Sequence, residues 1–339
     1  MKLCLGFEST AHTIGVSVVS FDGVVLSNER KLFTTSSGGL IPVKVAEHHC
    51  SHVFDLVSSS LSKAGVSISD ISLIAFSQSP GIGHCLRIGA IAARSLAALH
   101  GLPLVGVNHC IAHLEIGRLL GKKVSSDGFS SDVSCSDPIL LYASGANTQV
   151  IGFEGGKYRV FGETLDIGIG NFLDSFARSL DLGFPGGPKV EVLARKGSSL
   201  IDLPYSVKGM DVSFAGLVTK LSQLAVKGCS HEDLCFSAQE YVFAMIIEVA
   251  ERALAHTGKS ELVLGGGVAC NKRLQEMAFK MCEDRGASCF IVDNEFNVDN
   301  AAMIAWTGIL QFSAGDSLSL VNSGILPYVR TDDIEVSWR

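Results

Sequence analysis

The chain has 339 residues, with 27 Lys plus Arg against 34 Asp plus Glu, a net charge of −7 with neutral His, and 36 Gly beside only 8 Pro. At 47% apolar and 18% charged, with a mean hydropathy of +0.34, it excludes disorder, which needs low hydrophobicity and high charge. Glycine at about 11%, without a G-X-Y period, excludes a collagen-like or low-complexity chain, and the acidic balance excludes a global basic footprint for nucleic acid.

Taken in chain order, residues 2–7 form an apolar run ended by Glu8. That run is too short for a secretory signal. The polar stretch Glu8–Thr13 and the β-branched run Ile14–Ser20 read as turn and strand. Asp22-Gly23 is a hairpin signal that lets Val24–Leu26 pair back. Next come a helix over Lys44–Lys63, a strand over Ile71–Ser77 and an Ala-rich helix over Leu86–His100, closed by Gly101. A strand over Leu104–Val107 follows, then Asn108 caps a helix through Leu120. Residues 121–137, rich in Ser and Asp, read as a surface loop or linker.

The opening pattern then recurs. Pro138–Leu141, the turn Tyr142–Thr148, Gln149–Phe153, Gly155-Gly156 and Tyr158–Phe161 repeat strand, turn, strand, hairpin and strand. The two copies stand 137 residues apart, counted from Glu8 to Gly145, which predicts two similar domains. Helices over Asn171–Leu180, Lys189–Lys196, Ser237–Ala255, Asn271–Glu283 and Asp299–Phe312 alternate with strands over Leu262–Leu264 and Ser288–Val292. Alternation of this kind predicts an α/β protein with largely parallel sheets. The ten Cys include no C-x-x-C pair, as expected of buried thiols in the cytosol. No stretch is long and apolar enough to span a membrane.

Four constellations can carry chemistry. His109 and His113, at i and i+4, share one helix face and suit two ligands of one divalent metal. The positive end of the helix disfavours their protonation, keeping both able to ligate. The alternative is one packed and one exposed histidine. Asp299 is either a third ligand or a simple helix N-cap, and Tyr142 is a further oxygen ligand. An HxxxH pair also invites a metalloprotease reading, but Cys110 stands where a zincin has its Glu base, and Glu115 lies on another face. The turn Ser144–Thr148 can offer N–H groups to a phosphate, with Glu8-Ser9-Thr10 as its counterpart in the first copy. Gly265–Gly267 leads through Asn271 into a helix, a close backbone approach that fits neither a P-loop nor a dinucleotide fingerprint. Asp174, with Gly187 and Glu191, can bind ribose hydroxyls or can simply be solvated.

Read together, the strings GFESTAHTIG, GGLIPVKVAEHH, SPGIGHCLRIG, NHCIAH, YASGANTQVI, GETLDIGIGNFLDSFAR, PGGPKVEVLA, KGMDVSFAG, GGGVACNKRLQEM and VDNAAMIA are specific. From about residue 3 to 306 the chain resembles the archaeal and eukaryotic-cytosolic branch of the TsaD family, the catalytic subunit of the KEOPS complex, once labelled O-sialoglycoprotein endopeptidase. The resemblance implies an actin-like ATPase fold, shared with sugar kinases and chaperone ATPases, with two similar domains around a nucleotide cleft. Here they are expected at 1–134 and 135–339, the last helices packing back toward the first domain. It implies a tRNA N6-adenosine threonylcarbamoyltransferase. Such an enzyme moves the threonylcarbamoyl group of threonylcarbamoyl-AMP to N6 of the adenosine 3′ of the anticodon, position 37.

Carried over by position, the resemblance makes His109, His113 and Asp299 the catalytic metal ligands, with Tyr142 beside them. The ion would be Fe2+ or Zn2+. Tyr142, Ala143, Ser144, Gly145 and Ala146 match the substrate-phosphate turn. Asp174, Gly187 and Glu191 match the adenosine-ribose contacts, and Asn271 a remaining nucleotide contact. ATP or ADP would occupy the same cleft. Implied partners are tRNA, a small atypical kinase and a small dimerising subunit, with no membrane. The location would be the cytoplasm, and also the nucleus in a eukaryote. Ser79, His84-Cys85, Val43 and the long 121–137 segment depart from the family pattern. A metal-dependent protease, a non-catalytic scaffold paralogue and a small-molecule kinase of the same fold are the competing readings. The protease lacks its Glu, the scaffold would have lost the metal residues, and the kinase lacks a recognisable acidic base.

Overall fold

The structure is a computed structural model and describes every residue except 36–39, 127 and 131–132. Gly38-Gly39, which open the GGLIPVKVAEHH string, and part of the 121–137 segment therefore lie outside the described residues.

The meander expected at the start is β1 (Leu3–Glu8), β2 (Thr13–Ser20) and β3 (Val25–Leu32), with Gly23 at φ +85° in the hairpin turn. There follow α1 (Pro42–Ala64), β4 (Ile71–Ser79), α2 (Gly83–His100), β5 (Leu104–Asn108) and α3 (His109–Leu120). The first sheet runs β3-β2-β1-β4-β5, with β4 parallel to β1 and β5 parallel to β4. β1 is buried along its whole length, as a central strand between covered faces must be.

The second half contains β6 (Lys122–Ser125), β7 (Gly128–Ser130), β8 (Ile139–Ala143), β9 (Thr148–Glu154), β10 (Lys157–Glu163), α4 (Ile169–Ser179), α5 (Gly187–Ala194), β11 (Val207–Lys208), β12 (Asp211–Val212), α6 (Ala215–Val226), α7 (His231–Thr257), β13 (Glu261–Gly265), α8 (Lys272–Arg285), β14 (Ser288–Ile291), α9 (Asn294–Asn297) and α10 (Ala301–Ser313). Its sheet runs β10-β9-β8-β13-β14-β6-β7. The first five strands repeat the connectivity of the first sheet: an antiparallel meander whose opening strand then pairs in parallel with a later one. The two copies seen in the sequence are thus two copies of one topology.

The 121–137 segment is not simply a loop. Lys122 and Lys123 pair antiparallel with Ile291 and Phe290, and β6–β7 close the edge of the second sheet. That sheet therefore draws on residues ahead of 135. The lysines and the Ser-rich composition hid an edge hairpin, where charge guards the open strand. α6 carries no strong sequence signal. Its start is held by Asp166, which accepts from the N–H groups of Phe214 and Ala215.

α3 and α10 join the two halves. α3 is buried all round from His109 to Gly117, as a helix covered on every side should be. It packs on β5 and on β13. α10 packs on β1, β2, β4 and α3, and Gly6 in β1 admits it, since a Cβ there would stand 2.8 Å from that of Ala305. Beyond α10 the chain runs back over both sheets. Leu318 and Leu326 donate to the carbonyls of Leu104 and Gln78, Arg330 pairs with Glu163 at 2.9 Å, and Trp338 reaches α3.

Candidate metal centre and nucleotide cleft

Asn108 ends β5 and starts α3, its side chain accepting from the N–H groups of Cys110 and Ile111 at 3.0 and 3.1 Å. This cap fixes where the helix begins, so His109 and His113 project together. Their ring centroids are 4.8 Å apart. Asp299 lies in the turn before α10, where Asn300 caps the helix by accepting from Met303 N–H. The simple N-cap role for Asp299 is thereby excluded. Its Oδ1 instead lies 3.4 Å from His109 Nε2 and 3.6 Å from His113 Nε2. The three ligand atoms fall within 4.8 Å of one another. Both ring nitrogens of the buried His113 lack a hydrogen-bond partner. Two imidazoles and a carboxylate, with such an orphaned nitrogen among them, fit a divalent cation.

Tyr142, at the end of β8, sets its hydroxyl 3.1 Å from His109 Nε2. Burial pushes its pKa up, so it stands here as a neutral phenol. Glu8, at the end of β1, was not anticipated as part of this centre. It is fully buried, and its Oε2 lies 2.9 Å from His109 Nδ1. The signal available was a carboxylate closing a wholly apolar strand. The expectation that the helix end keeps both histidines neutral needs correcting. Burial lowers the pKa of His109, but Glu8, Tyr142 and Asp299 outweigh it and hold it well above the usual value. For His113 burial prevails and the pKa falls. Burial disfavours the Asp299 carboxylate, yet the two histidines hold its pKa well below the usual range.

The expected phosphate turn lies between β8 and β9. Ser144 Oγ donates to Asn147 O at 3.0 Å, and Gly145 and Ala146 are exposed. Among the described residues no protein acceptor takes the N–H of Gly145 or Ala146, leaving both free for an anion. The turn is seated by glycines. Cβ atoms at Gly168 and Gly170 would stand 2.6 and 2.7 Å from its backbone, and Gly266, at φ +92°, lies against Ala143.

Asp174 in α4 accepts from Gly186 N–H at 2.7 Å beside Gly187, and burial raises its pKa. Glu191 in α5 pairs with Arg195 at 2.7 Å and accepts from Lys272 N–H at 3.2 Å. Asn271 caps α8, and its Nδ2 donates to Gln239 Oε1 at 2.6 Å, so its side chain is engaged at both ends by protein. These residues form one rim. His12, in the turn after β1, faces it from the first half. Its ring meets Phe184 edge-on at 6.3 Å, and it lies close enough to Asp174 and Asp299 to favour their charged forms.

Glu115 cannot serve as a protease base. It is buried, bonded to Arg118, to the Tyr158 hydroxyl and to Trp338. Cys110 is buried with a raised pKa and accepts a weak bond from Asn147, a packing role. Of the departures from the family pattern, Ser79 is buried and accepts from Asn108 at 3.4 Å, Cys85 is buried in α2, and Val43 is exposed on α1.

Two repeated sheets joined by α3 and α10 define a protein of the actin-like ATPase fold, with a triad that could hold a cation beside a glycine-seated turn. Solved structures agree at the level of fold. HypF from T. kodakarensis superposes with a TM-score of 0.60 at 15% identity over 92% of this chain and 48% of that one. The activator of 2-hydroxyisocaproyl-CoA dehydratase from Clostridium difficile, with bound ADPNP, does so with 0.54 at 10% identity, over 94% and 99%. Residues 24–306 match the family described as TsaD, tRNA N6-adenosine threonylcarbamoyltransferase. A protein of that name from Thermococcus kodakarensis is 50% identical over 337 residues, 99% of each chain. One from Methanococcoides burtonii is 49% identical over all of this chain and 98% of its own. A probable bifunctional tRNA threonylcarbamoyladenosine biosynthesis protein from Methanosarcina barkeri is 48% identical, and 59% of its length is matched. The chain belongs to the TsaD family and is an enzyme of the acyltransferase class. Among the described residues no helix is long and apolar enough to cross a membrane.

Proposed function

We propose that this transferase moves the threonylcarbamoyl group of threonylcarbamoyl-AMP to N6 of the tRNA adenosine 3′ of the anticodon. The observation that carries the reading is the convergence of His109, His113 and Asp299 beside Tyr142, on the strand that leads into the Ser144–Asn147 turn. The donor is a mixed carbamoyl–phosphoric anhydride, and AMP is a good leaving group. The acceptor amine is a weak nucleophile, so positioning does most of the work.

The free N–H groups of Gly145 and Ala146 take the charge that builds on the departing phosphate. Asp174 and Glu191 hold the ribose, and the backbone at Gly187 lets it approach. N6 forms its bond to the carbamoyl carbon as the carbon–oxygen bond to phosphate breaks. The electron pair leaves with AMP, and the proton lost from N6 passes to the released phosphate. A divalent ion on His109, His113 and Asp299, iron or zinc, would supply Lewis-acid polarisation of the phosphate or carbamoyl oxygen. ATP or ADP would fit the same cleft.

With a net charge of −7, the tRNA surface is shared with other subunits of a KEOPS-type complex, among them a small atypical kinase and a small dimerising protein. The enzyme works in the cytoplasm. The test is reconstitution with threonylcarbamoyl-AMP, unmodified tRNA and those subunits. The wild type yields the modified nucleoside, and the double variant His109→Ala, Asp299→Ala does not. Undiminished product from the double variant would sink the reading, and elemental analysis names the metal.

A further inference from the structure

Glu8 is fully buried at the end of β1, and a buried carboxylate needs donors. Its Oε1 accepts from Thr10 N–H at 2.6 Å and from Thr10 Oγ1 at 2.5 Å. Its Oε2 faces His109 Nδ1 at 2.9 Å. No Lys or Arg pairs with it among the described residues, so beyond Thr10 its partner is the His109 ring. The imidazole is divided accordingly. Nδ1 faces Glu8, with Thr10 Oγ1 also 3.3 Å away, while Nε2 faces Tyr142 and Asp299. With a metal on Nε2 the ring keeps one N–H, and the geometry puts it on Nδ1, where Glu8 Oε2 accepts it. His113 has no such partner.

We infer that Glu8 is a positioning residue. It sets the tautomer and ring orientation of His109, making that histidine the preorganised ligand of the pair, and it ties the ligand to the Ser9–His12 turn of the first half. The inference rests on the triad being a metal site. A carboxylate behind a ligating histidine fixes its orientation and raises its basicity, and removing it typically costs 10–100-fold in metal affinity. Glu8→Gln keeps the size but weakens the acceptor. Glu8→Asp keeps the charge but draws the carboxylate back by one carbon–carbon bond.

The experiment is competition for Zn2+ against a chromophoric chelator, with Co2+ absorption reporting ligand geometry. Both variants are expected to bind Zn2+ roughly 10–100-fold more weakly and to give an altered Co2+ spectrum. Wild-type affinity in Glu8→Gln overturns the inference, and wild-type affinity in Glu8→Asp alone shows that charge rather than position matters, overturning it also. Imidazole 15N spectra of the Zn2+-loaded wild type need no variant: the proton belongs on His109 Nδ1, and a proton on Nε2 overturns the proposal. Failure of the wild type to bind any of these ions removes the metal reading itself, whereas strong wild-type binding with an unaffected Glu8→Gln removes only the role of Glu8.

Discussion

The indole N–H of Trp338 donates to Glu115 Oε1 at 3.0 Å. Glu115 stands two residues past His113 on α3, so the C-terminal segment is bonded directly to the helix that carries the candidate metal ligands. Arg118 holds the other oxygen at 2.6 Å, and the Tyr158 hydroxyl also donates. Trp338→Phe keeps an aromatic ring but loses the indole N–H, and with it one hydrogen bond to the buried Glu115 carboxylate, and should cost about 1.5–3 kcal/mol in urea unfolding. Arg118→Met leaves that charge without its cation. Arg118 is partly exposed, so the expected loss is about 3 kcal/mol, the lower end for a broken buried pair. Unfolding midpoints equal to the wild type in both variants would contradict the network.

The glycine excess separates into two kinds of position. Gly168 abuts the anion turn, where a Cβ would stand 2.6 Å from the Ala146 backbone. Gly168→Ala must displace that turn, and AMP binding should weaken more than about tenfold, or about 1.4 kcal/mol. Gly216, in the first turn of α6, has nothing within 4 Å of a Cβ, and Gly216→Ala should be neutral or stabilise by at most about 0.5–1 kcal/mol, the helix-interior value, with AMP affinity unchanged. Calorimetric titration with AMP, paired with urea melts, checks both. Equal AMP affinity in the two variants would argue against the turn as the phosphate seat.

Most of the architecture could be read from the chain because burial and periodicity agreed. The paired strands β1–β2 and β8–β9 are largely apolar runs separated by polar or glycine turns, and such runs leave little freedom of register; β3 and β10, more polar, follow through their hairpin turns. The histidine pair was legible because the spacing of His109 and His113 is a helical repeat beneath an Asn cap, whereas Asp299 stayed open between ligand and N-cap until the family resemblance made it a ligand. Glu8 was not legible, because its meaning depends on which strand end lies behind His109, a long-range relation that no local pattern encodes. β6–β7 escaped because edge strands use charge and serine where central strands use valine and isoleucine. The bond from Asn271 to Gln239 was hidden likewise, since only the packing of α7 against α8 brings those residues together.

Asp174 accepts from Gly186 N–H while burial raises its pKa. Asp174→Asn retains an oxygen for Gly186 and removes the charge. The loop should keep its shape, and adenosine or AMP should lose about 1.5–3 kcal/mol, the value of a hydrogen bond to a charged group. Asp174→Ala should lose at least as much and also loosen the loop. Titration at fixed ionic strength distinguishes them. If Asp174→Asn binds AMP as the wild type does, the ribose is held elsewhere.

His49 in α1 is fully buried and donates from Nε2 to Ala11 O at 2.9 Å, bracing the turn that holds Glu8, Thr10 and His12. Burial pushes its pKa down from 6.5 to about 4; the bond to Ala11 opposes this, and the neighbouring His48, His12 and His52 add to it. The folded state therefore favours neutral His49, while the unfolded chain protonates near 6.5. The contribution is fully present above pH 6.5 and is lost as pH falls toward 4. It amounts to about 3 kcal/mol at most. His49→Gln retains a donor for Ala11 without a titrating ring. Its urea midpoint should fall less than that of the wild type between pH 7 and pH 4.5, and parallel losses in the two proteins would show that other groups carry the acid sensitivity.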